Sequence, residues 1–254
     1  NSSILRCPRR VGIISQGLVA RRTEAADLLL QKKYECVILD EAHRARRRNP
    51  TKNPDNHKAE PNYLLQLLDE ITFQTKSLLL ATATPVQVNT IEAFDLIEAL
   101  GLPHEAEKVM GSNMSWWRKK PQYMLDMICG KEPVPDNEIQ MWDIMRDPFP
   151  ERVDGSVSRV NTLRDAFDIY DDEVILAPEY YTQGRRSVQN KILDLYETDD
   201  FVMNYNPYIR HIVRRTRESL ETKTNPTTGE PYLKKITVDL LGEGSKEPQR
   251  FNLQ

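Results

Sequence analysis

The chain has 254 residues, 39% of them hydrophobic and 29% charged, and a formal net charge of −3. That length buries a real core, as one large domain or two smaller ones, and the slightly acidic balance excludes a global positive field that would pull the whole chain onto nucleic acid. Three scattered cysteines (Cys7, Cys36, Cys129) argue against a disulfide framework or a zinc set, and no apolar run approaches the roughly 20 residues of a membrane helix.

In chain order, residues 11–101 read as alternating strand and helix. Val11-Gly12-Ile13-Ile14 is expected as a short strand, and Leu18 to Gln31 as a helix with Ala25, Leu28 and Leu29 on its apolar stripe. Cys36 to Leu39 is expected as a central, parallel strand, because it is continuously apolar. A loop rich in Arg, Asn, Lys and Pro follows from Arg44 to Pro61. Asn62 then caps a helix carrying Leu64, Leu65, Leu67, Leu68 and Ile71, and Ser77 to Ala81 is a third buried strand. Asn89 and Glu92 stand at capping-box spacing before a helix with Ala93, Leu96, Ile97 and Leu100 on one face, stopped by Gly101 and Pro103. This βαβαβα series predicts an α/β fold with a right-handed, open parallel sheet.

From residue 104 to about 207 prolines recur, aromatics thicken and strands are hard to find. Helices are expected at Met124–Ile128, Ile139–Met145, Val160–Ile169 and Val188–Tyr196, making a mostly helical insertion. Tyr208 to Leu220 reads as a further helix with Ile209, Ile212 and Val213 inward, and Ile236 to Leu241 as a last strand. The domains so drawn are 1–103, 104–207 and 208–254. The opening Asn1-Ser2-Ser3 and the polar end Asn252-Leu253-Gln254 lead us to expect a piece of a longer protein.

Two apolar runs end abruptly in chemically capable residues: Val37-Ile38-Leu39-Asp40-Glu41-Ala42-His43, and Leu78-Leu79-Leu80-Ala81-Thr82-Ala83-Thr84-Pro85. Buried strands of α/β proteins deliver sites to the carboxyl edge of a sheet in this way. At such an edge Asp40 can hold Mg²⁺ through its water shell, since that ion keeps most of its waters. Glu41 can polarise an attacking water as general base. His43 is placed to hydrogen-bond across to Thr82 or Thr84, whose hydroxyls both donate and accept.

Together these runs resemble the Walker B and coupling motifs of superfamily-two helicases and translocases, and Thr82-Ala83-Thr84-Pro85-Val86-Gln87 looks most like the Swi/Snf-related branch. Val11 to Gln16 is similar to the strand that lies near DNA in that family, which marks Ser15 and Gln16 as candidate nucleic-acid contacts. Ile209 to Arg217 resembles the arginine-pair segment that leads toward the second lobe, with Arg214 and Arg215 as the pair. The resemblance implies a partial RecA-like lobe plus the helical insertion. It also implies an ATP-dependent motor walking on double-stranded DNA, with ATP and Mg²⁺ as cofactors, Asp40, Glu41 and His43 as catalytic residues and Thr82, Thr84 and Gln87 as coupling residues. A cytoplasmic location is expected, nucleoid-associated if the source is bacterial.

The departures are specific. A phosphate-binding GxxxxGK[ST] loop is absent, as are the arginine-finger motifs of a second lobe, and Val88 intervenes between Gln87 and Asn89 where the family has Asn directly. These features suit a fragment of lobe one downstream of its phosphate loop, inactive alone, from a bacterial relative. Two alternatives are a motor subunit of a restriction or phage-defence complex, whose insertion docks a nuclease or methylase, and a degenerate helicase-like scaffold. A metal-dependent hydrolase using Asp40, Glu41 and His43 lacks a second ligand cluster.

The cluster Arg44, Arg46, Arg47, Arg48, Lys52 and Lys58 offers either salt-dependent phosphate contact or a solvated loop. Trp116-Trp117 offers base stacking, against the commoner pairing of one core and one surface contact. The acidic stretch Asp165 to Glu173 reads as a solvated helix end.

Overall fold

The computed structural model describes residues 11–21, 23–84, 89–103, 106–152, 158–197, 201–213 and 217–234. The chain divides into two compact units, Asn1–His211 and Ile212–Gln254. The first is a mixed α/β unit. Its α1 (Gln16–Val19) and α2 (Glu24–Leu30) precede β1 (Val37–Leu39). Next come α3 (Tyr63–Ile71), β2 (Leu78–Leu80) and α4 (Ile91–Gly101). Among the described residues the helices that follow are α5 (Ala106–Met110), α6 (Trp116–Lys119), α7 (Pro121–Ile128), α8 (Glu138–Met145), α9 (Arg159–Phe167), α10 (Glu179–Thr182), α11 (Arg186–Glu197), α12 (Phe201–Asn204) and α13 (Pro207–His211). In the second unit α14 (Arg217–Thr222) leads into a hairpin-like turn closed by a bridge between Thr224 and Pro231.

β1 and β2 pair in parallel, with Ile38 opposite Leu79. Alternate side chains leave opposite faces of a strand, so Val37, Leu39, Leu78 and Leu80 pack on a core built from Val19, Leu29, Leu64, Leu65, Leu68 and Ile71. Ile38 and Leu79, by contrast, are 64% and 54% exposed. The expectation of strands buried on both faces is therefore corrected: continuous apolarity does not set burial when only one face has a packing layer.

Asn62 caps α3 as its sequence position predicts, accepting from Leu65 N at 2.9 Å. α4 begins two residues after Asn89, whose side chain accepts from Ile91 N at 3.2 Å. It ends at Gly101 and is buried nearly all round. Its Leu96 and Ala99 join the α/β core, while Ile91, Ala93, Phe94 and Ile97 join a second core with Trp117, Met124, Trp142, Phe149 and Leu163. α4 is thus one wall shared by both cores. The four helices expected in the insertion are present as α7, α8, α9 and α11, their boundaries within a few residues.

Three local expectations are corrected. Val11–Ile14 is not a strand, and Ile13 is 97% exposed; an apolar tetrapeptide is a strand only when a neighbour pairs with it. The helix expected over 18–31 is two helices, because Thr23 is extended (φ −89°, ψ 162°) at the start of α2 and turns its hydroxyl back to donate to the Leu18 carbonyl. The helix expected from Tyr208 to Leu220 stops at His211, and Ile209, Ile212 and Val213 are all more than one-third exposed rather than inward. The strand expected at Ile236–Leu241 lies outside the described residues.

Candidate functional site

Pairing between the two strands continues one step past their ends. Ala81 N donates to Leu39 O at 2.9 Å, and Ala42 N donates back to Ala81 O at 2.9 Å. This stitch lays the Asp40–Glu41 turn beside Thr82–Thr84, so residues 39 apart in the chain share one edge. Asp40 is exposed there, its Oδ1 accepting from Glu41 N at 2.9 Å. Its carbonyl accepts from Gln16 Nε2, and Gln16 Oε1 in turn accepts from Arg44 Nη1 at 3.4 Å. Ser15 caps the short α1, its hydroxyl accepting from Gly17 N at 3.3 Å. Gln16 is thus a strut between both flanks of the DEAH turn.

Glu41 has left-handed backbone angles (φ 49°, ψ 46°), which L-residues other than Asn and Asp rarely adopt. That geometry lets its carboxylate reach back to His43, with Oε2 3.2 Å from Nδ1. The same Nδ1 lies 2.9 Å from Thr82 Oγ1, and Thr82 Oγ1 also accepts from Thr84 N at 3.1 Å. An ionised carboxylate only accepts, so Nδ1 carries the proton and is shared between Glu41 and Thr82. The Thr82 hydroxyl then spends both lone pairs on His43 and Thr84 and keeps its own proton to donate. Glu41, His43, Thr82 and Thr84 form one continuous polar thread across the two strand ends. Gln87, Arg214 and Arg215 lie outside the described residues.

The basic loop is an ordered arch. Asn49 ties its stems together, donating to Lys58 O at 3.0 Å and accepting from Glu60 N at 2.9 Å, while Arg48 N donates to Glu60 O at 2.7 Å. The arginines within it have different fates. Arg47 is 4% exposed and forks onto Asp95 of α4 through bonds of 2.8 and 2.5 Å, so its expected role in nucleic-acid contact is corrected: the guanidinium is buried against a carboxylate rather than open to a phosphate. Arg46 is half-exposed and 4.0 Å from the Glu92 carboxylate. Arg44 and Arg48 are exposed, with Arg48 lying 5.1 Å over the Tyr63 ring. Sequence reading missed the Arg47–Asp95 pair, although Asp95 between Phe94 and Leu96 of α4 was the available signal, since a buried carboxylate needs a partner.

Trp117 is buried, donating to Ile144 O at 3.1 Å, and Trp116 is half-buried under the Lys120 ammonium. Within the acidic stretch Asp165 and Asp171 both accept from Arg152 at 2.6 Å. Burial, reinforced by Glu98 and Asp95, pushes the Asp69 carboxyl up to about 7. Burial beside Arg210 pushes His211 down to about 4.

An exposed carboxylate at a strand end, with one oxygen engaged by backbone, fits outer-shell binding of hydrated Mg²⁺, which needs no dense protein cage. Among the described residues no group of three or more His, Cys, Asp or Glu is gathered as a metal cage. The chain carries no glycine-rich cradle for a triphosphate. Compared with protein-family models, curated proteins and solved structures, the chain matches none.

Proposed function

We propose that this chain is part of the first, RecA-like lobe of an ATP-dependent translocase on double-stranded DNA, related to the Swi/Snf branch of superfamily two. The observation that carries this reading is the stitched pair of parallel strand ends, with His43 reaching Thr82 across them. A motor needs a hydrolytic edge mechanically tied to an element that can shift, and a single histidine shared between a carboxylate and a neighbouring strand is such a tie.

In this reading Asp40 orients the metal's water shell from the strand end, and Mg²⁺ neutralises phosphate charge when bound. Glu41, exposed and held by its backbone turn, accepts the proton of the attacking water. His43 orients the Glu41 carboxylate through Nδ1 and transmits its position to Thr82, which relays it to the Thr84 amide. The missing phosphate loop must come from elsewhere in the intact protein, and the 254-residue chain alone does not turn over ATP. The helical part around the second core offers a docking place for a nuclease or methylase if the parent serves a restriction or defence complex.

ATP hydrolysis by the longest natural chain containing this segment tests the reading. Stimulation by duplex DNA is expected, and Glu41→Gln is expected to lower turnover by at least about 100-fold, the usual contribution of a general base, while nucleotide binding persists. Near-normal turnover in Glu41→Gln would sink the assignment. The absent phosphate loop favours a second reading, a helicase-like scaffold without hydrolysis, which predicts no duplex-stimulated turnover at all.

A further inference from the structure

Arg44 and Arg48 are the two exposed members of the basic cluster that meet in one place. They line a cleft of about 170 Å³ together with Gln16, Asn62 and Tyr63, and no carboxylate among the described residues lines it. Both arginines are anchored through their backbones. Asn62 donates from Nδ2 to Arg44 O at 2.8 Å, fixing the backbone that carries Arg44, while its Oδ1 caps α3. Arg48 is anchored by its amide on Glu60 O and by its contact with the Tyr63 face. Among the described residues the Arg48 guanidinium makes no side-chain hydrogen bond, and Arg44 makes one long bond to Gln16. Several N–H donors therefore face the cleft unspent.

We propose that this cleft is a phosphodiester subsite, where Arg44 and Arg48 together grip one phosphate of duplex DNA. Two planar forks suit an oxyanion better than two ammonium groups would. The lining also discriminates among phosphate carriers. Among the described residues Tyr63 is the one aromatic ring on the cleft and its face is covered by Arg48, so these residues offer neither a nucleotide base nor the splayed bases of a single strand an open ring to stack on. A backbone phosphate needs none. The subsite deepens the translocase reading and rests on it: Arg44 also touches Gln16, which holds the Asp40 carbonyl, so the grip sits one side chain from the DEAH turn.

The test is duplex binding by the 254-residue chain, followed by anisotropy of a short fluorescein-labelled duplex between about 50 and 200 mM salt. Arg44→Gln with Arg48→Gln is expected to weaken binding about tenfold and to flatten the log–log salt slope by about 1, the release from one phosphate. Arg48→Lys keeps the slope but binds more weakly. The charge-matched pair Lys76→Gln with Lys131→Gln, whose lysines sit in surface ion pairs with Glu35 and Asp126, is expected to keep the wild-type slope. Unchanged melting temperatures establish that the variants fold. A double arginine variant with the wild-type slope, or a lysine pair that flattens it equally, overturns the subsite. Inorganic phosphate titrated at constant ionic strength, read at the Arg48 Nε–Hε resonance, separates sources: saturation by phosphate without duplex binding overturns a DNA contact. None of these readouts needs hydrolysis, so failure of the motor reading in Glu41→Gln and failure of the subsite are seen separately.

Discussion

Glu41 sits where a glycine or asparagine would be comfortable. Holding a non-glycine residue in left-handed geometry costs roughly 1–2 kcal/mol, so that position trades stability for the direction of its carboxylate. The return is the shared proton on His43 Nδ1, and with it the link to Thr82. That link makes Thr82→Val and His43→Ala interdependent. Each alone is expected to cost about 1 kcal/mol, with a coupling of about 0.5–1.5 kcal/mol in a double-mutant cycle read by urea unfolding. Strict additivity would mean the two strand ends are neighbours without being connected. The sequence marks the motif residues but is silent on the backbone sign at Glu41, because a single αL residue leaves no periodic trace.

The arch from Arg44 to Asn62 shows how one element sorts identical side chains into opposite roles. Arg47 faces inward onto Asp95 of α4, while Arg44 and Arg48 face the cleft. Removing one member of the buried pair leaves an uncompensated charge. Arg47→Met is expected to destabilise the fold by about 3–5 kcal/mol, and Arg47→Met with Asp95→Leu to recover most of that, because an apolar pair pays no desolvation. If the single change cost less than about 1 kcal/mol in urea unfolding, the pair would be solvated and Arg47 available to ligands after all. Four arginines in a row of five residues look alike in composition; which of them is buried depends on a carboxylate 48 residues away. The helix at 16–31 teaches the same point at shorter range, since its apolar spacing runs straight through Thr23 but the Thr23 backbone does not.

Across residues 11–211 α4 faces two cores at once, and this makes a claim about cooperativity. All three tryptophans (Trp116, Trp117, Trp142) lie in or against the helical core, whereas Leu68 lies in the α/β core. Leu68→Ala and Phe94→Ala are each expected to cost about 2–5 kcal/mol, and both should lower the same tryptophan-fluorescence midpoint. A biphasic curve, with Leu68→Ala leaving the tryptophan transition in place, would show that α4 does not couple the cores. The boundary drawn from sequence at 103/104 falls between α4 and α5, at a change in composition. A shared buried helix has no compositional edge, so the contribution of α4 to both cores was not legible there.

The sequence alone carried the order of strands and helices along most of the first unit, the Asn62 cap, the stop at Gly101 and the two motifs at strand ends. Each of these is written in a run of neighbouring residues, where periodicity, capping and chain breaking act locally. Tertiary structure decided which face of the two-stranded sheet is covered, which arginine is buried, where the helices at Thr23 and His211 break, and that Gln16 braces the DEAH turn. Those outcomes turn on partners tens of residues apart, whose meeting depends on packing and desolvation rather than on any pattern within the segment itself.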